Sequence, residues 1–156
     1  NKLGIIDSAE LARQEEKIRD VNLAKGNFRF VPLMYLNEAL RNIEKMPQNS
    51  FDEIIEKYVE MNIAHPFREG NGRSTRIWLD NILKSEIGQV VDWSKVDKDD
   101  YLLAMERSPI KDIEIKYILK NALTDKINDR DVYMKGIDNS YYYEGYVTYK
   151  TENVLE

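Results

Sequence analysis

Twelve consecutive residues, His65-Pro66-Phe67-Arg68-Glu69-Gly70-Asn71-Gly72-Arg73-Ser74-Thr75-Arg76, hold most of the groups in this chain that could do chemistry. His65 is the only histidine of the chain, and a neutral imidazole can take a proton from an attacking hydroxyl near neutral pH. Gly70 and Gly72 permit backbone conformations closed to other residues, and Asn71 tolerates the left-handed region. Where such a turn feeds a helix N-terminus, its amides and the helix dipole make a phosphate site. Arg73 and Arg76, three apart, share a helix face and can grip further phosphates. A carboxylate at Glu69 amid those positive groups suits a Mg²⁺ bridged to phosphate oxygens. One base, one metal carboxylate, one anion nest and two arginines make a phosphoryl- or nucleotidyl-transfer set. Singly, a lone histidine, a Gly-Asn-Gly turn or two arginines would each pass for ordinary structure. Their order within one short segment is what argues for function.

The flanking pattern supplies elements to hold that segment. Asp7 and Glu10 form a capping-box pattern opening a short helix to about Ile18. Asp20–Leu23 and Phe28–Val31 flank the turn Ala24-Lys25-Gly26-Asn27 and predict a small hairpin. Pro32 suits the first turn of a helix with the apolar stripe Leu36, Leu40 and Ile43. Ser50 and Glu53 make a second capping box before Ile54, Ile55, Tyr58, Val59 and Ile63. That helix should stop near Ala64 or His65, because the residue before Pro66 is pushed out of helical geometry. A helix from about Arg73 to Glu86 is ended by Gly88. Asp97 can cap a helix through Met105, Asp112 another through Leu123, and a last helical stretch covers 138–149. The expected fold is mainly α with one hairpin.

Bulk properties are consistent with this. A chain of 156 residues suits one domain. A net charge of −5 and a pI near 5.1 argue against non-specific nucleic-acid binding, which needs a basic face. The absence of cysteine excludes disulfides and thiolate metal sites. No apolar run approaches membrane-spanning length and no signal-peptide pattern opens the chain, so a cytoplasmic protein without membrane contact is expected. Asn1 stands where a Met would begin a complete product, so a piece of a longer protein is expected.

The segment from His65 resembles the Fic family signature, His-x-Phe-x-(Asp/Glu)-Gly-Asn-Gly-Arg-x-x-Arg, at all eight specified positions. The resemblance implies a single Fic domain over 1–156: a helical bundle around a helix–loop–helix active site with a small β-hairpin flap. It implies protein adenylyltransferase activity, with ATP as substrate and Mg²⁺ as cofactor. His65 would be the general base, Phe67 a buried anchor and Glu69 the Mg²⁺ ligand. Gly70, Asn71 and Gly72 would surround the α- and β-phosphates, Arg73 would hold the β-phosphate and Arg76 the γ-phosphate, and Ser74 and Thr75 would also belong to the ATP-binding segment. Gly72, where the phosphate-transferring Doc toxins have lysine, is compatible with AMP transfer. The family's flap aligns an extended target segment by strand addition; here it is Lys25-Gly26-Asn27-Phe28-Arg29-Phe30. The same resemblance sets Lys25, Gly26, Asn27 and Phe28, the helix end Asn62, Ile63 and Ala64, and Lys98 around the nucleotide.

Ser140-Tyr141-Tyr142-Tyr143-Glu144-Gly145 resembles the inhibitory motif (Ser/Thr)-x-x-x-Glu-(Gly/Asn) of self-inhibited Fic proteins. That resemblance implies that Glu144, flanked by Ser140 and Gly145, meets Arg76 where the γ-phosphate would sit. A target protein presenting a Tyr, Ser or Thr hydroxyl is implied as partner. Some bacterial members modify a type II topoisomerase subunit, and self-inhibited members often form homo-oligomers. Transfer of another nucleotide or phosphorylated group, hydrolytic de-AMPylation and a non-catalytic binding module are the alternatives. One stretch departs from the family pattern. Relatives carry a helix and an aromatic-rich segment before the flap's Arg-x-x-Asn, whereas here Glu16-Lys17-Ile18 runs straight into Arg19-Asp20-Val21-Asn22. Loss of a core helix would cost more than usual stability margins, so an omitted stretch between Ile18 and Arg19 is expected instead.

Overall fold

A computed structural model of the chain describes residues 18–25, 28–68, 70–130 and 132. The expected helices opening near Asp7 and covering 138–149 fall outside the described residues, as do Gly26, Asn27, Glu69, Ser140, Glu144 and Gly145. The chain divides into two compact units, Asn1–Ile87 and Gly88–Glu156.

In the first unit, β1 (Ala24–Lys25) and β2 (Phe28–Arg29) pair antiparallel, Ala24 opposite Arg29 and Lys25 opposite Phe28. The Phe30 N–H donates to the Leu23 carbonyl at 3.1 Å and prolongs the ladder. Pairing therefore takes in Ala24 and Lys25, two residues of the expected four-residue turn. Helix α1 (Leu33–Lys45) buries Leu36, Leu40 and Ile43 as its periodicity predicts. Pro32 precedes it with no capping side chain; the Asn22 Oδ1 accepts from the Leu33 N–H at 2.7 Å instead. Helix α2 (Phe51–Ala64) is capped by Ser50, whose Oγ accepts from the Glu53 N–H at 3.2 Å. Glu53 Oε1 accepts from the Asn49 N–H at 2.8 Å, one residue before the N-cap rather than at the N-cap N–H that the predicted capping box would use. The buried Lys57 ammonium donates to the Glu44 and Met46 carbonyls and to Gln48 Oε1, bracing the α1–α2 link.

Helix α3 (Asn71–Ile87) packs on α2, as α1 does. Helix α2 buries Ile54, Ile55, Tyr58 and Met61, and α3 buries Trp78, Leu79, Ile82 and Leu83. Side chains of this size are each worth about 1.5–3 kcal/mol when fully removed from water. The helix starts two residues earlier than predicted, so Asn71 and Gly72 are its first turn rather than loop. Gly88, at φ +65°, ends it in the left-handed geometry that glycine adopts without strain.

The second unit holds β3 (Val90–Val91), a 3₁₀ turn at Trp93–Lys95, α4 (Lys98–Arg107), α5 (Ile113–Lys120) and β4 (Leu123–Thr124). The Asp97 carboxylate accepts from the Asp100 N–H at 3.0 Å and caps α4 as expected. Asp112 makes no side-chain cap; it pairs with Lys116 at 3.3 Å. Strands β3 and β4 pair antiparallel, Val90 opposite Thr124 and Val91 opposite Leu123. This second small sheet, unforeseen in the sequence, withdraws Leu123 from the helix expected to include it. Trp93 meets Tyr101 edge to face at 5.6 Å, and Ile115 and Leu119 of α5 are buried. The class is mainly α, as expected. No helix among the described residues is long and apolar enough to cross a membrane.

Candidate active site

His65 is the C-cap of α2, at φ 49° and ψ 62°. A left-handed residue with a Cβ is costly, about 1–2 kcal/mol, so something must hold it there. Pro66 forbids continuation of the helix at this point. The His65 N–H still closes the last turn onto the Met61 carbonyl at 3.1 Å. The larger restraint is Arg19, a buried residue. Its Nε donates to the His65 carbonyl at 2.6 Å and its Nη2 to the Ala64 carbonyl at 2.9 Å. Its Nη1 donates to the Val21 carbonyl at 2.9 Å, and Nη2 also to the Val31 carbonyl. The Arg19 main-chain N–H donates to the Pro66 carbonyl at 3.0 Å, and Ile18 bridges Phe67. Only the Arg-x-x-Asn order before the flap pointed to Arg19 in the sequence, and it carried no role there.

The imidazole is half-buried. Phe30, next to β2, stacks on it with ring centroids 3.7 Å apart and planes 11° from parallel; Phe28 in turn meets Phe30 edge-on at 5.3 Å. The His65 pKa is lowered to about 4. Burial is the main cause, followed by the positive charges of Arg19 and Lys25. At neutral pH the ring is uncharged and able to accept a proton. Lys25, expected near the nucleotide, thus acts on the base from the flap.

The loop between α2 and α3 is braced by Asn71. Its Oδ1 accepts from the Phe67 N–H at 2.8 Å and its Nδ2 donates to the Phe67 carbonyl at 2.7 Å. Phe67 itself is buried. The Asn71 side chain is therefore committed to the loop, leaving its amide as the part that could face an anion. The first intrahelical bond of α3 runs from the Ser74 N–H to the Gly70 carbonyl at 3.0 Å. The amides ahead of it form the open first turn, where partial positive charge collects. The buried Thr75 hydroxyl donates back to the Asn71 carbonyl at 2.7 Å and lies within reach of the Gly72 carbonyl. Gly70 has φ +75°, and a Cβ there would stand 2.8 Å from Nη2 of Arg73. Glycine is thus favoured by the positive φ, which the sequence made legible; the Arg73 guanidinium, at the end of a flexible side chain, could shift to make room for a Cβ. Arg76 is buried and Arg73 half-buried on the same helix.

At the end of α2, Asn62 Nδ2 donates to the Tyr58 carbonyl at 2.9 Å and the Ile63 carbonyl accepts from the Val31 N–H at 3.1 Å. Ala64 is fully buried. Flap, helix end and loop are therefore tied together around His65. Lys98 belongs to the second unit, at the first position of α4. Glu69, expected to hold Mg²⁺, falls outside the described residues; among those described, no three His, Cys, Asp or Glu residues converge as a metal cluster. A Mg²⁺ bound by one carboxylate plus phosphate oxygens requires no such cluster.

Comparison with known proteins gives a consistent result. The model of the Fic/DOC family matches residues 5–83, just over half of the chain. A protein adenylyltransferase of Bartonella henselae is 34% identical over 64 residues, covering 40% of this chain and 12% of its own length. The protein adenylyltransferase VbhT of Bartonella schoenbuchensis is 28% identical over 137 residues, covering 78% of this chain and 28% of its own. The chain thus spans well under two thirds of these relatives. Among solved structures, the BepC protein of Bartonella tribocorum, with bound AMPPNP, superposes with a TM-score of 0.61 at 16% identity, covering 77% of this chain and 75% of that one. At that identity the likeness speaks for the fold.

Proposed function

Since the chain belongs to the Fic/DOC family, we propose that it is a protein adenylyltransferase, moving AMP from ATP to a hydroxyl side chain of a target protein. The observation that carries this reading is His65: an uncharged imidazole on a left-handed helix cap, five residues before Gly70, the first glycine of a turn that opens a helix. The triphosphate lies against the amides of Gly70, Asn71 and Gly72, with Arg73 and Arg76 on the β- and γ-phosphates. His65 takes the proton of the target hydroxyl, whose oxygen attacks the α-phosphorus as pyrophosphate departs. Glu69 would hold a Mg²⁺ against the phosphate oxygens; a hard carboxylate donor beside phosphates suits that ion, which would offset their negative charge. A relative solved with AMPPNP supports an adenine nucleotide as donor.

On the same reading, the exposed edge of the flap presents the target segment, and Glu144 restrains the site by occupying the Arg76 guanidinium. ATP as donor makes the cytoplasm the expected place of action. A topoisomerase subunit as target and a homo-oligomeric state are family-level extensions of it. The experiment is incubation of the Glu144→Gly variant with α-labelled ATP, Mg²⁺ and a cell lysate, beside the parent chain and His65→Ala. Labelled protein is expected, strongest with Glu144→Gly and lost with His65→Ala, and mass spectrometry should find AMP on a hydroxyl. Labelling that survives His65→Ala would remove the general base from the mechanism. Equal labelling by Glu144→Gly and the parent would discard the brake alone.

A further inference from the structure

The Arg19 side chain is buried, and all four of its acceptors are main-chain carbonyl oxygens. Burying a guanidinium is expensive unless its hydrogen bonds are made. Here four of its five N–H groups are used. Two acceptors, Ala64 and His65, are carbonyls at the C-terminus of α2, where no helical partner exists for them and the dipole favours a cation. The other two, Val21 and Val31, stand on opposite arms of the flap. Val31 directly follows Phe30, the ring that stacks on His65. One planar fork thus touches the backbone of the candidate base and the backbone beside its aromatic cover.

We propose that Arg19 is the positioning residue of this site: its fork locks the left-handed turn at His65 to both arms of the flap, and so seats the imidazole against Phe30. The side chain touches neither substrate nor the reacting atoms; it acts through His65 and Phe30. A lysine would keep the charge but not the arrangement, because a single ammonium cannot address four diverging carbonyls. The consequence for catalytic rate rests on the transferase reading, whereas the positioning itself does not.

Because the chain has one histidine, the His65 Cε1–Hε1 resonance is a single, unambiguous NMR signal. The charged groups acting on it are Arg19 and Lys25, and both charges persist in Arg19→Lys. In the parent chain the signal should be shifted upfield by the Phe30 ring and titrate well below 6.5. In Arg19→Lys, with folding verified by circular dichroism, the upfield shift should shrink and the midpoint should rise by about one unit. A folded Arg19→Lys with shift and midpoint unchanged would overturn the proposal. Should that variant not fold, hydrogen exchange in the parent chain decides. The Arg19 Nε–H should exchange roughly a hundredfold more slowly than exposed arginines, and exchange at their rate would overturn the proposal equally. None of these readouts uses ATP, so a chain that shows them yet transfers no AMP would fail as a transferase while Arg19 kept its role.

Discussion

At the scale of single side chains, the property that decides what His65 can do is its charge. Burial under Phe30 acts first and the cations Arg19 and Lys25 act with it, all favouring the neutral ring. A base depressed to about 4 stays unprotonated through the physiological range, at the expense of proton affinity. Opening its cover should reverse this. In Phe30→Leu the acid limb of the kcat/KM profile for AMP transfer should move upward toward 6.5, and in Lys25→Gln it should move in the same direction by less. Removing a nearby cation stabilises the protonated ring, and burial is the larger cause. A limb that stays put in Phe30→Leu would show that the flap does not set the base. The sequence displayed the histidine and the phenylalanines; that one stacks on the other follows only from the hairpin register, which puts Phe30 opposite Leu23 and beside the end of α2.

At the scale of elements, the site is made from two helix ends. The C-terminus of α2 bears the proposed base, His65, and the N-terminus of α3 the amides proposed to bind the anion, so dipoles of opposite sign meet across one short loop. The cap at His65 is strained, since it places a residue with a Cβ at φ 49°. His65→Gly should therefore be more stable in urea than His65→Ala, by about 1 kcal/mol, although glycine is the poorer helix former. Both variants should be inactive, and the opposite order of stability would mean that the cap relaxes when the imidazole is removed. Capping at Ser50 offers an ordinary contrast: Ser50→Ala should cost about 1 kcal/mol without altering the pH profile. These elements were legible from capping boxes, Pro66 and Gly88. Strands β3 and β4 were not, because two-residue strands have no periodicity and Val90–Val91 pairs with residues more than thirty positions on.

For the molecule as a whole, the same imidazole makes stability depend on pH. The folded state binds the proton near 4 and the unfolded chain near 6.5, so between these values the unfolded state carries more protons. The His65 contribution is complete above about 6.5, declines as pH falls through that window and is lost below about 4. The fall in melting temperature between pH 7 and 4.5 should therefore be smaller in His65→Gln than in the parent chain; equal falls would mean that the ring titrates normally when folded. The chemistry and its order along the chain were written in residue types. The candidate base, the glycine turn, the paired arginines and the helices that carry them are local properties, set by side-chain identity and by spacing of three to four residues. What needed the tertiary structure was everything that depends on distant segments meeting. A buried arginine at position 19 finds carbonyls more than forty residues away, a flap ring covers the imidazole, and the Asn71 side chain braces the Phe67 backbone. Desolvation and hydrogen bonding depend on what surrounds a group in space, and composition and periodicity do not carry that information.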